Sequence, residues 1–418
     1  MKIGIVGLGY VGLITGVGFA SLGNKVFGID VDEKKVEKIN KGESPIYEKD
    51  LECKLKENKE NFTATTKIEE LKDCEIIFIC VGTPSKEDGS IDLKYIKQAA
   101  EDISKILDSY KVIVVKSTVI PGTTESLIKI LGKKVGRDFG LAMNPEFLKE
   151  GSALKDFFEP DRIVVGSYDE KTKEILEELY EDFNCSKIFT NIKTAEMIKY
   201  ASNAFLATKI SFINEIGNIC KKLGIDVYDV AEGMGYDKRI GREFLNAGIG
   251  FGGSCFPKDV KALIAKAKEI GYDPKLLQEV IEINEKQPFK KIEIVKKKVS
   301  NLKNKKIALL GLTFKPHTDD IRESRAIPII QKLIEEDAII HAYDPKGIEN
   351  TKLIFPENEK LRYIEDPQEA IDKSDIVLLL TEWPHFRKLD FKDKLVVDGR
   401  NVIPKEQREG LNYEGICW

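Results

Sequence analysis

Short, continuous apolar runs alternate with longer amphipathic stretches along this chain, as they do in proteins built from parallel strands and crossover helices. Lys2-Ile-Gly-Ile-Val6 is the first run, and an apolar helical stretch follows it as far as Leu22. Lys25-Val-Phe-Gly-Ile29 reads as a second strand, closed by Asp30. Glu75 to Val81, Lys111 to Val115 and Phe139 to Met143 show no polar alternation, as expected of strands buried on both faces. Ligands of open parallel sheets gather at the carboxyl ends of the strands. Thr83, Thr118, Glu146 and Glu150 fall there, and at each a simple capping role competes with a functional one.

Between Thr194 and Leu223 the period becomes helical: Met197, Ala201, Ala204, Phe205, Phe212, Ile216, Ile219, Cys220 and Leu223 recur on one stripe, and Gly224 suits a C-cap. So long a helix fits a spine that joins domains or subunits. Lys199 and Asn203 are four residues apart and share a face of it. A lysine there either snorkels along the helix or belongs to a site. A second strand–helix pattern begins at Lys306-Ile-Ala-Leu-Leu310 and echoes the first at Ile340 to Asp344, Asp375 to Leu380 and Lys394 to Asp398. The fold expected is α/β, with two Rossmann-like doubly wound domains joined by a long central helix. Its parts are a first Rossmann-like domain over 1–192, a helical segment over 193–300 and a second Rossmann-like domain over 301–418.

Composition narrows the class. At 418 residues the chain is too long for one core, and its net charge of −4 offers nothing to nucleic acid or an anionic membrane. The seven cysteines form no CxxC pair and the three histidines lie in unrelated contexts, so neither a disulfide framework nor a metal site is expected. Met1 leads straight into a strand and no apolar run is of spanning length. A cytoplasmic, reducing setting is the expectation.

Two stretches carry chemistry. Gly7-Leu-Gly9-Tyr10-Val11-Gly12 follows a strand, opens a helix, and has an acid 18 residues after it at Asp30. In that context the glycine pattern is a dinucleotide fingerprint: Gly7 for the turn, Gly9 for approach of the pyrophosphate, Gly12 for helix–strand packing. Asp30 would bind ribose hydroxyls and repel an added phosphate, which favours NAD over NADP. The second stretch is Gly248-Ile-Gly-Phe-Gly-Gly-Ser-Cys255-Phe-Pro257-Lys258-Asp259. Pro257 suits the first turn of a helix, so Cys255 would stand at a helix N-terminus whose partial positive charge favours an anionic nucleophile. Asp259 would lie one turn on. A covalent-catalysis site and a glycine-rich turn with an inert cysteine are both open on these residues alone.

Jointly, and in this order, Gly7 to Gly12, Gly82-Thr-Pro84, Ser117-Thr118, Asn144-Pro-Glu-Phe-Leu-Lys-Glu-Gly-Ser152, Lys199-Tyr-Ala-Ser-Asn203, Gly250 to Asp259, Phe314-Lys315 and Asp320-Ile-Arg322-Glu-Ser324 resemble the UDP-glucose/GDP-mannose dehydrogenase family over the whole chain. The resemblance implies four-electron oxidation of a sugar C6 alcohol to a carboxylate by two NAD⁺, with NAD binding in 1–192, dimerisation through 193–300 and UDP-sugar binding in 301–418. Cys255 then looks like the nucleophile that forms a thiohemiacetal and a thioester. Lys199 and Asn203 would hold the substrate and its oxyanion, while Asp259, Thr118 and Glu150 handle water and protons. Beyond the glycine loop with its Tyr10 and Val11, the cofactor contacts it implies are Asp30, Lys35, Thr83, Thr118, Glu150, Lys258 and Arg322. The implied substrate contacts are Glu146, Phe147, Leu148, Lys149 and Glu150; Lys199 and Asn203; Phe244, Leu245, Asn246, Ala247, Gly248 and Gly252; and Phe314 with Lys315. Arg242 is similar to an arginine that reaches a neighbouring subunit's site, and the long helix to a dimer spine, so a homodimer or higher oligomer is expected. UDP-glucose is the substrate expected, ahead of GDP-mannose. Phe147 stands where the N-acetylmannosamine branch usually has arginine. A non-catalytic nucleotide-sugar binder needs no Cys255, Lys199 and Asp259 together. A two-electron dehydrogenase of the 6-phosphogluconate kind leaves the second Rossmann-like part unexplained.

Overall fold

The computed structural model describes all 418 residues, which separate by compactness into Met1–Ser202 and Asn203–Trp418. The first unit holds an eight-stranded sheet of β1 (Lys2–Val6), β2 (Lys25–Ile29), β3 (Phe62–Thr65), β4 (Ile76–Ile79), β5 (Val112–Val115), β6 (Gly140–Met143), β7 (Arg162–Ser167) and β8 (Ser186–Thr190). Its order is β3-β2-β1-β4-β5-β6-β7-β8, and only the β6–β7 pairing is antiparallel. The period of two decides which core each side chain joins. Phe78 and Val114 face one hydrophobic cluster; Ile77, Ile79, Ile113 and Val115 face the other.

The second unit gathers the helical middle of the chain with a wholly parallel six-stranded sheet: β9 (Lys306–Leu310), β10 (Ile339–Tyr343), β11 (Leu361–Tyr363), β12 (Ile376–Leu379), β13 (Leu395–Asp398) and β14 (Asn412–Gly415). The order β11-β10-β9-β12-β13-β14 repeats that of the first six strands of the other sheet. The doubly wound pair expected from the sequence is therefore present, extended in the first copy by β7 and β8.

The spine helix runs from Ile192 to Leu223. Its apolar residues occupy two faces rather than the single stripe read from the sequence. Ala204, Ala207, Ile213 and Cys220 are buried, whereas Met197, Phe205, Phe212, Ile219 and Leu223 are exposed. No helix is long and apolar enough to cross a membrane.

One carboxylate after the second strand of each sheet closes the turn after the first strand. In the first copy Asp30 accepts the Leu8 N–H at 3.0 Å and pairs with Lys35 at 2.8 Å. In the second copy Asp344 takes donors on both oxygens: the Leu312 and Thr313 amides, the Thr313 hydroxyl and the Trp383 indole on one, the Lys346 and Gly347 amides on the other. Asp344 is 1% exposed, and its lone pairs are spent on the protein itself. Asp344→Asn should therefore lower stability by at least about 3 kcal/mol, since several charge-assisted bonds weaken at once. A urea midpoint equal to that of the unsubstituted chain would contradict this.

Candidate functional site

The carboxyl ends of β1, β2, β4, β5 and β6 carry the first group of candidate residues. Gly7 has φ +94, and a Cβ there would stand 3.0 Å from the Cys80 backbone; one on Gly12 would stand 1.8 Å from the Gly7 carbonyl oxygen. Both glycines are thus demanded by the protein's own packing. Gly9 differs: its φ is −73, and a Cβ there would meet nothing within 4 Å. No intramolecular contact requires glycine at that position, which caps the N-terminus of the helix Tyr10–Ser21. The residues present fit NAD, with Asp30 behind the same turn.

The segment after β6 is held by buried charge. Glu146 receives the amides of Phe147 (2.6 Å) and Leu148 (2.9 Å) on one oxygen and pairs with Lys116 (2.9 Å) through the other. Lys116 also donates to Asn144 at 2.9 Å. Burial lowers the pKa of the Lys116 ammonium, but the Glu146 carboxylate and Tyr180 more than offset this and hold it above its ordinary value. Lys116, Glu146, Phe147, Arg162 and Tyr180 help to wall a cavity of about 60 Å³. The Glu146 carboxylate thereby fixes the shape of the 146–150 loop from inside it, while Glu150 is half-buried and Lys149 exposed.

Glu196, in the first turns of the spine helix, is another carboxylate with no local sequence signal. It accepts the Gly122 amide at 2.6 Å and the Thr124 amide at 2.8 Å, which fixes the loop after β5 that carries Thr118. Burial raises its pKa against the effect of those amides. One turn further on, Lys199 is only 7% exposed and enters no ion pair; its ammonium lies 5.0 Å from the centre of the Phe147 ring, whose face Arg162 also covers at 4.0 Å. Its stem is buried along the helix, while its ammonium is not among the fully enclosed unpaired polar atoms.

In the second unit Cys255 is exposed and occupies the N-cap of the helix Phe256–Glu269, with Pro257 in the first turn. Asp259 is 1% exposed; Lys258 meets one of its oxygens and the Asn203 amide the other, each at 2.6 Å. The glycine loop before the cysteine is gripped strand by strand of its backbone. Asn214 accepts the Gly248 N–H (2.7 Å) and Gln287 donates to the Gly248 carbonyl (2.9 Å). Asn284 bonds both the N–H (2.7 Å) and the carbonyl (3.0 Å) of Phe251, while Gly399 and Arg322 carbonyls accept from Ile249 and Gly253. Asn284 lies on the helix Lys275–Val299, which contains Pro288. Lacking an N–H, that proline leaves unclaimed within the helix the Asn284 carbonyl, which faces Gly250. Glycine at 250, with φ +100, allows so close an approach, as Gly252 and Gly253 do for Glu323 and the Phe314 ring.

The other sequence candidates lie in both units. Phe244 holds a left-handed φ of +64, a strained conformation for an aromatic residue, beside Phe256. Leu245, Ala247 and Gly248 are buried and Asn246 is exposed. Arg242 is engaged by Glu232 at 3.3 Å and the Leu245 carbonyl at 3.2 Å, and Arg322 forms a fork with Asp320. Lys315 lies 5.5 Å from the Phe314 ring centre, and Thr83 is half-buried after β4. Asn214, Asn284, Gln287, Glu196 and Glu48, the last described below, escaped the sequence reading because no short-range spacing marks them.

Residues 1–184, 193–286 and 308–405 match the NAD binding, central and UDP binding domains of the UDP-glucose/GDP-mannose dehydrogenase family. A UDP-glucose 6-dehydrogenase of Bacillus subtilis is 44% identical, covering 99% of this chain and 92% of its own. The structure of a UDP-glucose dehydrogenase from the hyperthermophilic archaeon Pyrobaculum islandicum superposes with a TM-score of 0.95 at 41% identity, over 100% of this chain and 98% of that one. A UDP-D-ManNAc dehydrogenase from Pyrococcus horikoshii gives 0.89 at 29% identity, over 100% and 99%.

The contrast between the glycines is testable. Gly9→Ala should leave Tm unchanged yet weaken NADH binding by at least about tenfold, because only the ligand needs that space. Gly12→Ala should lower Tm as well. NADH titrations and melting curves decide it, and a destabilised Gly9→Ala protein would contradict the assignment.

Proposed function

Because this chain belongs to the UDP-glucose/GDP-mannose dehydrogenase family, we propose that it oxidises the C6 alcohol of UDP-glucose to the carboxylate of UDP-glucuronate, with a covalent stage on Cys255 between two hydride transfers. The observation that carries this reading is the exposed thiol at a helix N-cap, delivered by a glycine loop whose backbone is held on all sides. An enzyme that stops at an aldehyde needs no such group; one that proceeds to an acid needs a tetrahedral carbon from which hydride can leave again.

NAD⁺ supplies the hydride acceptor for both oxidations. The chain's residues do the rest. Removal of the hydroxyl proton and a hydride from C6 gives the aldehyde. The Cys255 thiolate adds to that carbon, a C–S bond forms, and the carbonyl pair moves to oxygen. Loss of the second hydride restores the carbonyl as a thioester. Water then adds, the C–S bond breaks, and the thiolate departs as the carboxylate forms. Negative charge gathers on the C6 oxygen twice along this path. Lys199, buried and without a carboxylate partner, suits that oxygen, and Asn203, one helical turn away, accompanies it. Asp259 keeps the Asn203 amide oriented. Thr118 and Glu150 serve as proton and water groups, and the 146–150 loop, Gly252, Phe314 and Lys315 as contacts for the nucleotide sugar.

We further read the exposed Phe205, Phe212, Ile219 and Leu223 as the seat of a second copy, since they recur at near-heptad spacing on one helix. The seven unpaired cysteines fit a reducing, cytoplasmic setting.

UDP-glucose turnover should yield two NADH per sugar, and Cys255→Ala should form no glucuronate. One NADH per sugar with free aldehyde released contradicts the covalent stage, and preference for GDP-mannose moves the substrate assignment. Lys199→Ala should cut kcat by about 10²–10³ with a modest change in KM, the usual cost of losing an oxyanion donor; kcat within about threefold of the unsubstituted enzyme would remove Lys199 from the role. Phe205→Asp should shift the chain to monomer in sedimentation if the exposed stripe is the seat of a second copy.

A further inference from the structure

Glu48 lies in the loop before the helix Leu51–Glu57, far in sequence from every residue with an assigned role, yet it is 8% exposed and its carboxylate has three donors. The Tyr10 hydroxyl donates to Oε2. The Gly151 amide donates to the same oxygen at 2.7 Å, and the Ala153 amide to Oε1 at 2.9 Å. The Gly151 amide also lies 3.1 Å from the Tyr10 hydroxyl, which closes a three-membered network. Tyr10 is the first residue of the helix whose N-terminus receives the dinucleotide. Gly151 directly follows Glu150 and has φ +84, so the turn it makes sets where the 146–150 loop ends. Burial and the Glu48 carboxylate both push the Tyr10 phenol above its ordinary pKa, so it remains a donor throughout the physiological range.

We propose that Glu48 is a positioning residue that couples the cofactor cradle to the 146–152 loop, so that a dinucleotide bound at Gly9 and Tyr10 orders the segment bearing Glu150. The physical ground is contiguity. Dinucleotide binding restrains the first turn of the Tyr10 helix, Tyr10 restrains one oxygen of Glu48, and Glu48 restrains the amides on both sides of Ser152. Coupling by ordering alone needs no displacement and is read as a change in amide protection. Tyr10 thereby gains a second part beyond lining the cofactor loop, through its side chain rather than its backbone. The proposal rests on the reading of residues 146–150 as the nucleotide-sugar loop, but its test needs no sugar.

Hydrogen exchange of the full-length protein, with and without saturating NADH, reads the amides of Gly151 and Ala153. NADH should slow their exchange by at least about fivefold, within the usual range of coupling between sites. In Glu48→Gln that slowing should vanish while the NADH Kd stays within about threefold, and in Tyr10→Phe, which removes one hydroxyl and leaves the helix amides in place, it should vanish when the variant is compared at its own saturating NADH. Equal slowing in Tyr10→Phe, or none in the unsubstituted protein, overturns the coupling. Should Glu48→Gln fail to fold, Tyr10→Phe alone decides. Because NADH is the only probe, failure of UDP-glucose turnover strikes the proposed activity and leaves the exchange result standing.

Discussion

A carboxylate that follows the second strand and accepts amides from the turn after the first is the constraint both sheets share. Without it, backbone donors at the crowded centre of each parallel sheet would be buried unsatisfied. The two copies then diverge. Asp30 is balanced by a single lysine, which shares one oxygen with the Leu8 amide, while the Asp32 amide donates to the other. Asp344 is enclosed by the indole of Trp383 and five donors from its own turn and the turn after β9. The second sheet keeps the strand order and the carboxylate closure of the first without its glycine fingerprint.

Around the thiol the same accounting is done by neutral amides. Asn214, Asn284 and Gln287, all nearly inaccessible, take up donors and acceptors that glycine-rich backbone cannot pair with itself. Amides suit this task because each offers both a donor and an acceptor. The loop is therefore rigid in spite of its glycines, whose purpose is close approach rather than mobility.

Much of this was legible in sequence, for physical reasons that also set the limit. β4, β5, β9, β12 and β13 announce themselves because strands buried on both faces tolerate nothing polar. β3 and β8 have half-exposed patterns and went unread. Pro257 placed Cys255 at a helix start, since proline's fixed φ has a local meaning. The spine helix was readable as a helix but not as two-faced, because periodicity reports the apolar positions and not which of them a neighbour covers. Glu48, Glu196 and the three amides lay beyond reach. Each acts on backbone dozens of residues away, and no spacing rule links a carboxylate to an amide at that distance.

The closures around Cys255 also bear on how the chain is made. Ile249 donates to the carbonyl of Gly399, and Gly253 to that of Arg322, so the loop before the thiol is completed by residues that follow it by dozens of positions. During synthesis at about 5–20 residues per second the first sheet can assemble long before those partners emerge. The turn before Cys255 is thus fastened only after Arg322 and Gly399 have been made, and a chain halted short of them leaves that backbone without these closures.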